Sequence, residues 1–205
     1  MNDGNSNKVY SLPAIAILME AEQKANLRIF GMGEYLPPSY FHTRFTVLRQ
    51  PLNYASGSEK LADDDKAIHA GIEIDNDFVA VGRIHKIDSD CDGGQADHAG
   101  PDAPLCPGFA PLGKENDGFA ANMELRPACQ IRQMGTLNKW QRRGFAARIL
   151  RALEDAAQEK WSCNSGWLQA RIDAVPFYTN AGWKCFGEEY DIVGIGPHMS
   201  MFKLF

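Results

Sequence analysis

The alternation of hydrophobic and polar positions divides the chain into ordered stretches around one long break. Residues 1–9 are polar. From Ala14 the run AIAILMEAEQKA, entered through Pro13, is built of strong helix formers and predicts a short helix. Asn26 to Phe30 alternates as a strand does and ends near Gly31 and Gly33. Pro37-Pro38-Ser39 opens a second helical pattern through Phe41, Phe45, Val47 and Leu48, which closes before Pro51. Leu52 to Asp65 is polar and loop-like and ends in three successive aspartates, Asp63, Asp64 and Asp65.

A clear β signal follows. Ala67, His69, Gly71 and Glu73 alternate with Ile68, Ala70, Ile72 and Ile74; Asp75-Asn76-Asp77 supplies a turn, and FVAVGRIHKI returns as a second strand. From Asp88 to Gly118 the pattern dissolves. Six glycines, four prolines and seven acidic residues against one lysine, in 31 positions, describe a surface insertion or lid. Order resumes after Pro127 with a short strand over Gln130–Met134 and a connection from Gly135 to Trp140. The best helix of the chain is expected over Gln141–Lys160, with Phe145, Ile149, Leu150, Leu153 and Ala156 on one face. Asn164-Ser165-Gly166 reads as a turn, Trp167–Arg171 as a strand, and Val175–Asn180 as a short helix closed by Gly182. Two last strands are expected around Phe186–Ile192 and Met199–Leu204, parted by Gly194, Gly196 and Pro197.

This order specifies an α/β (α+β) fold with a mixed sheet in one domain. The expected division is an N-terminal extension over 1–24 and a domain over 25–205 that carries the insertion at about 88–126. A chain of 205 residues, 44% hydrophobic and 23% charged, has the make-up of a soluble globular protein with its own core. A net charge of -5 argues against a nucleic-acid partner. The five cysteines are scattered with no C-x-x-C, which argues against a zinc site or a disulfide framework and for reduced thiols. Leu12 to Met19 is an apolar run of eight residues, short of the ~20 that span a bilayer, and no small-residue cleavage site follows. The expected location is therefore cytoplasmic, with no membrane partner.

The strongest chemical feature is Gln141-Arg142-Arg143-Gly144-Phe145-Ala146 at the start of the best helix. Lys139, Arg142 and Arg143 crowd an end where basic side chains oppose the helix dipole, at typically 0.3–1 kcal/mol per charge. A bound anion reverses that balance, because first-turn amides and basic side chains then converge on negative charge. The alternative is a solvated, exposed turn. The spacing is neither that of a P-loop nor a G-x-G-x-x-G.

The segment resembles the acyl-CoA loop of the GCN5-related N-acetyltransferases (GNAT), whose pattern is Q/R-x-x-G-x-G/A. Two further pieces stand in the family's order. Leu168 to Tyr178 is similar to the fifth strand and following helix, and Thr179 to Trp183 to their close. Gly196-Pro197-His198-Met199-Ser200-Met201 resembles the G-x-P-H-x-x-M ending of one bacterial branch, although Gly196 stands where that branch has isoleucine. Leu48-Arg49-Gln50-Pro51-Leu52 and His69 also suit that branch. The resemblance implies a mixed, strongly curved sheet of about six or seven strands, flanked by about four helices. Its central parallel strands splay apart for the pantetheine arm of the cosubstrate.

The resemblance also implies roles. Gln141, Arg142, Arg143, Gly144, Phe145 and Ala146 hold the pyrophosphate of acetyl-CoA, and the backbone of Met134, Gly135 and Thr136 pairs with the pantetheine arm. Gly135 and Thr136 depart from the family's usual residues, and a looser acyl pocket is expected. Tyr178 is the candidate general acid that protonates the CoA thiolate, or else a packing residue that positions the sulfur. For the general base, His69 and His85 in the hairpin strands and Glu73 are candidates beside a water-mediated route. His198 either lines the substrate pocket or caps the last strand. The histidines are too scattered for a metal site. Asp63–Asp65 is expected to be solvated surface rather than a lure for a cationic amine, and Trp161 and Trp167 core anchors.

The implied function is an acetyl-CoA-dependent N-acetyltransferase acting on a primary amine of a small molecule or peptide. The alternatives are transfer of a longer acyl chain, a non-catalytic acyl-CoA-binding or sensor module, and a phosphate-binding module unrelated to CoA. The acceptor, and the choice between monomer and homodimer, are left open.

Overall fold

The computed structural model describes residues 24–88 and 122–205. The helix expected from Ala14 and most of the insertion lie outside the described residues. Seven strands form one sheet: β1 (Asn26–Phe30), β2 (Ile68–Ile74), β3 (Asp77–Lys86), β4 (Ala128–Thr136), β5 (Ser165–Arg171), β6 (Lys184–Ile192) and β7 (Gly196–Leu204). Their order across the sheet is β1-β2-β3-β4-β5-β7-β6. Neighbours are antiparallel except β4 and β5, which are parallel. The described helices are α1 (Pro38–Leu48), the single turn α2 (Asn122–Leu125), α3 (Phe145–Trp161) and α4 (Val175–Asn180). The expected mixed α/β sheet is the one observed.

Helical periodicity brings Phe145, Ile149, Leu150, Leu153 and Ala157 of α3 onto one face. There they pack on Ile68, Ala70 and Ile72 of β2, Ile84 of β3, Ile131 of β4 and Leu168 of β5. Glu154 on α3 accepts hydrogen bonds from Trp183 Nε1 at 2.8 Å and Lys203 Nζ at 2.7 Å, which ties the helix to β7. α1 begins at Pro38, where the ring's fixed φ suits a first helical turn. It covers the opposite face, with Tyr40 set against Phe30, Phe78 and Val81. Strand alternation therefore sends Ile68, Ala70 and Ile72 to α3 and His69 to α1.

Several boundaries differ from those the sequence suggested: β4 is longer at both ends than the expected Gln130–Met134, and β6 starts two residues early. α3 starts at Phe145 rather than Gln141, because Arg142 (φ 61°) and Gly144 (φ 75°) are left-handed and break the helical path. Ser165 and Gly166 belong to β5 instead of a turn. A side chain at Gly166 would come within 2.8 Å of Phe205 and 2.9 Å of Trp183, so the glycine serves close packing. Gly196 and Pro197 open β7, paired with Ile192 and Asp191.

Ile149 is fully enclosed between α3 and the sheet. Ile149→Ala is expected to lower unfolding free energy by about 2–5 kcal/mol in chemical denaturation, and a loss below about 1 kcal/mol would contradict this packing.

Candidate active site

The site begins as a failure of two strands to stay together. β4 and β5 pair through Ala128↔Ser165, Cys129↔Gly166 and Gln130↔Trp167, and pairing between them ends there. β4 continues beside β3 as far as Thr136↔Ala80, and β5 beside β7 as far as Arg171↔His198. Each strand thus follows its outer neighbour, and a wedge opens between them. A bulge adds to the divergence: Gln133, at φ 55°, and Met134 stand opposite the single residue Gly82. The resulting cleft is open to solvent on one side and has a volume of about 180 Å³.

Polar residues within the central strands line it. Gln130 and Arg132 on β4, and Gln169 and Arg171 on β5, face the cleft with Arg49 from the turn after α1. Gln130 is only 3% exposed, and its Oε1 accepts no hydrogen bond from the protein. A buried acceptor left so costs about 1–3 kcal/mol, which marks it as a place for a ligand donor. The sequence reading passed over Gln130 and these arginines. Their signal was there: polar residues two apart, alternating with Ile131, Leu168 and Ala170 in strands buried on their other face.

Tyr178 and His198 complete the lining. Tyr178 sits on α4, its ring 4.8 Å from Phe177 and 6.2 Å from Trp183. Burial pushes its phenol well above the usual 10, so the hydroxyl keeps its proton at neutral pH. His198 Nδ1–H donates to the Gly196 carbonyl at 2.7 Å, which leaves Nε2 as the acceptor nitrogen. Burial lowers the pKa of His198, so the ring is neutral.

The loop from β4 to α3 lies at the end of this opening. A short turn over Asn138–Trp140 leads into Gln141–Gly144, whose left-handed residues at 142 and 144 curl the chain around its own amides. No side chain caps the seventeen-residue α3, and a Cβ on Gly144 would meet nothing within 4 Å. Gln141 Nε2 donates to the Thr136 carbonyl at 3.3 Å, joining the loop to the end of β4. Lys139 and Arg143 lie over the Trp140 ring at 5.5 and 5.4 Å. Met134, Gly135 and Thr136 are thus brought beside Gln141–Ala146, and the arrangement can receive an anion. The room at Gly135 is filled from α1, since a Cβ there would lie 2.8 Å from Val47 Cγ1. That glycine brings the helix close instead of widening a pocket.

The three residues expected as base candidates, His69, His85 and Glu73, are not among the cleft lining. His69, Arg83 and Arg132 stand in register across β2, β3 and β4. The loop before β2 lays Asp63 and Asp64 over this row. Arg83 pairs with Asp63 at 2.8 Å and Asp64 at 3.1 Å, Arg132 with Asp63 at 3.1 Å, and Arg44 of α1 with Asp64 at 2.9 Å. Asp63 and Asp64 are therefore ion-pair partners rather than the expected solvated surface. Burial alone would raise Asp63, but its bond to Arg83 holds it down at about 2. His69 Nε2–H donates to the Asp64 carbonyl at 2.8 Å, while Nδ1 lies 3.4 Å from Arg44 Nη2. Its geometry is that of a residue holding this network, and it does not line the cleft. Glu73 pairs with Arg28 at 2.9 Å near the sheet edge, and His85 lies beside Gln130 in register on β3. Among the described residues, no cluster of His, Cys, Asp or Glu could hold a metal, and no helix is long and apolar enough to cross a membrane.

Burial pulls the pKa of His69 from 6.5 to about 4. Between those values the unfolded chain binds a proton that the folded chain refuses, so stability falls as pH falls through that window. From about pH 7.5 to about pH 5 this group accounts for about 2 kcal/mol. Chemical denaturation at both pH values is expected to show a smaller loss for His69→Gln than for the parent, and equal losses would exclude His69 as the group.

Residues 113–204 match the family model described as the acetyltransferase (GNAT) domain. Over 76 residues the chain is 32% identical to YitI of Bacillus subtilis (strain 168), an uncharacterized N-acetyltransferase, covering 37% of this chain and 50% of that protein. The match thus spans half the length of this relative. Among solved structures, Escherichia coli ElaA aligns with a TM-score of 0.57 at 16% identity, covering 87% of this chain and 99% of that one. A GNAT family acetyltransferase from Elizabethkingia anophelis, solved with acetyl-CoA bound, aligns with a TM-score of 0.52 at 8% identity, over 89% and 99%. At such identities the structural likeness speaks for the fold, and the sequence match over 113–204 speaks for descent. Residues 113–204 thus carry a sequence likeness to the GNAT acetyltransferase domain, and the chain shares the fold of solved GNAT acetyltransferases.

Proposed function

We propose that this protein is a cytoplasmic, acetyl-CoA-dependent N-acetyltransferase that moves an acetyl group onto a primary amine of a small molecule or peptide by direct attack. The observation that carries the reading is the wedge between β4 and β5, with a protonated, buried Tyr178 on its wall.

Bound acetyl-CoA supplies an activated thioester carbonyl. Gln141, Arg142, Arg143, Gly144, Phe145 and Ala146 hold its pyrophosphate. The left-handed turns, the uncapped first-turn amides and the basic side chains of that loop support this. Met134, Gly135 and Thr136 offer the side of β4 turned away from β3 to the extended arm. An amine attacks only with a free lone pair, and the neutral His198, through Nε2, is the cleft group suited to taking the ammonium proton. Tyr178 then gives its proton to the departing sulfur. Its phenol holds a proton at neutral pH and lines the cleft, which supports the donor role by position.

A thiol-release assay across an amine panel, run beside Tyr178→Phe, tests this. Turnover by the variant is expected to fall by about 10²-fold or more, with acetyl-CoA affinity changed only a few-fold. Undiminished turnover would remove Tyr178 from the acid role. Tight acetyl-CoA binding with thiol release from no amine would favour a sensor.

A further inference from the structure

We propose that the acceptor amine carries a compact apolar group, a short alkyl chain or one aromatic ring, and that Leu52 and Ile195 receive it at the mouth of the cleft while His198 faces the nitrogen. The inference rests on the transferase reading above and narrows its substrate class.

Two walls of the cleft come from outside the central strands. The end of α1 and the turn after it bring Leu48 and Leu52, and the turn between β6 and β7 brings Ile192 and Ile195. α1 lies over β3 and β4, whereas β7 and β6 lie beyond β5, so the two walls flank the wedge. Ala174, at the entry of α4, joins them. Leu48, Leu52, Ala174 and Ile195 are only partly buried, although the apolar faces of the sheet are otherwise closed by α3 and α1. Apolar carbon left open to water in a concave site forfeits burial that a ligand supplies.

Strand pairing sets this surface beside the proposed proton acceptor. Tyr190 pairs with His198 and Ile192 with Gly196, so Ile192 and His198 share a face one pair apart. Gly196 has no side chain, and a Cβ there would meet nothing within 4 Å, which leaves the place opposite Ile192 open. The N–H of Ile195 donates to the Ile192 carbonyl at 2.9 Å, and the turn so closed brings a second isoleucine to the cleft. Val193, between them, is 92% exposed and does not line it.

The charged side chains of the lining already have partners. Arg132 pairs with Asp63 at 3.1 Å, Arg49 donates to Gln133 Oε1 at 3.3 Å, and Arg171 lies 3.9 Å from Asp173. Toward β6, the wall next to His198 is hydrocarbon. An amine whose nitrogen meets Nε2 of His198 therefore lays its carbon skeleton on Ile192 and Ile195, with Leu52 across the opening. A volume of about 180 Å³ is below the ~300–1,000 Å³ of sites for drug-sized ligands, and the thioester needs part of it. The apolar group is accordingly small.

Isosteric acceptors of equal charge test the proposal: butylamine against 3-aminopropanol, and 2-phenylethylamine against 2-(4-pyridyl)ethylamine at pH 8. The apolar member of each pair is expected to have kcat/KM higher by about tenfold or more, the scale of one methylene set in an apolar pocket. Ile195→Ser and Leu52→Ser are each expected to lower that preference by about fivefold or more, mainly through KM, while Ile195→Val keeps most of it. Val193→Ser, on the same turn but outside the cleft, is expected to leave it unchanged. Calorimetry of the same pairs on the CoA-loaded protein reads the preference without turnover. There the apolar member is expected to bind more tightly and with a more negative heat-capacity change. Tighter binding of the apolar members with no thiol release would uphold this proposal and sink the transferase reading. Equal or better use of the polar members, binding of neither member, or equal effects of Ile195→Ser and Val193→Ser would overturn the proposal. Thiol release from the polar members would then leave the transferase standing.

Discussion

Backbone hydrogen bonding sets the terms for this molecule, and three residues show how. β4 and β5 are adjacent and parallel, yet they pair only through Ala128, Cys129 and Gln130 before separating. A buried strand edge has to find partners for its N–H and C=O groups. Here the outer neighbours β3 and β7 carry each strand onward, and the inner edges are left to whatever enters the wedge. The bulge at Gln133, the cleft, the position of Tyr178 and the reach of the loop before α3 all follow from that parting.

What holds the wedge open differs on the two faces of the sheet. On one, α3 spans β2, β3 and β4 with an apolar stripe that closes tightly around Ile149 and Leu153. On the other, charge takes the place of hydrocarbon. Arg44 and Arg83 are fully buried and are neutralised by Asp63 and Asp64 from the loop before β2. Removing one partner from such a network strands a buried charge, so the network acts as a rigid clamp for α1 and the β2–β4 row. Arg132 belongs both to this clamp and to the cleft wall, which couples the stability of one face to the chemistry of the opening.

Much of this was legible in the chain. The hairpin over Ile68–Lys86 was carried by strict alternation, and the apolar face of α3 by its period. The loop over Gln141–Ala146 was marked by its run of basic and small residues, although the helix it precedes starts four positions later than the pattern suggested. That shift came from left-handed backbone at Arg142 and Gly144, which a hydrophobic pattern cannot express. The strand role of Ser165–Gly166 was hidden because glycine signals a turn as readily as a close approach. His69 looked like a chemical residue because of its type. Only the register that sets it beside Arg83 and under Asp64 reveals a holding role. The arginines of the cleft were visible as polar interruptions of buried strands, but their convergence depends on α1, β4 and β5 meeting in space.

The parting of β4 and β5 is most directly tested by amide hydrogen exchange on the protein with and without CoA. Strong slowing of exchange on binding is expected at Ile131–Thr136 of β4 and at Gln141–Ala146, where ligand would take up the free edge and the uncapped amides. Slowing confined to other segments, with these two unchanged under saturating CoA, would contradict the account.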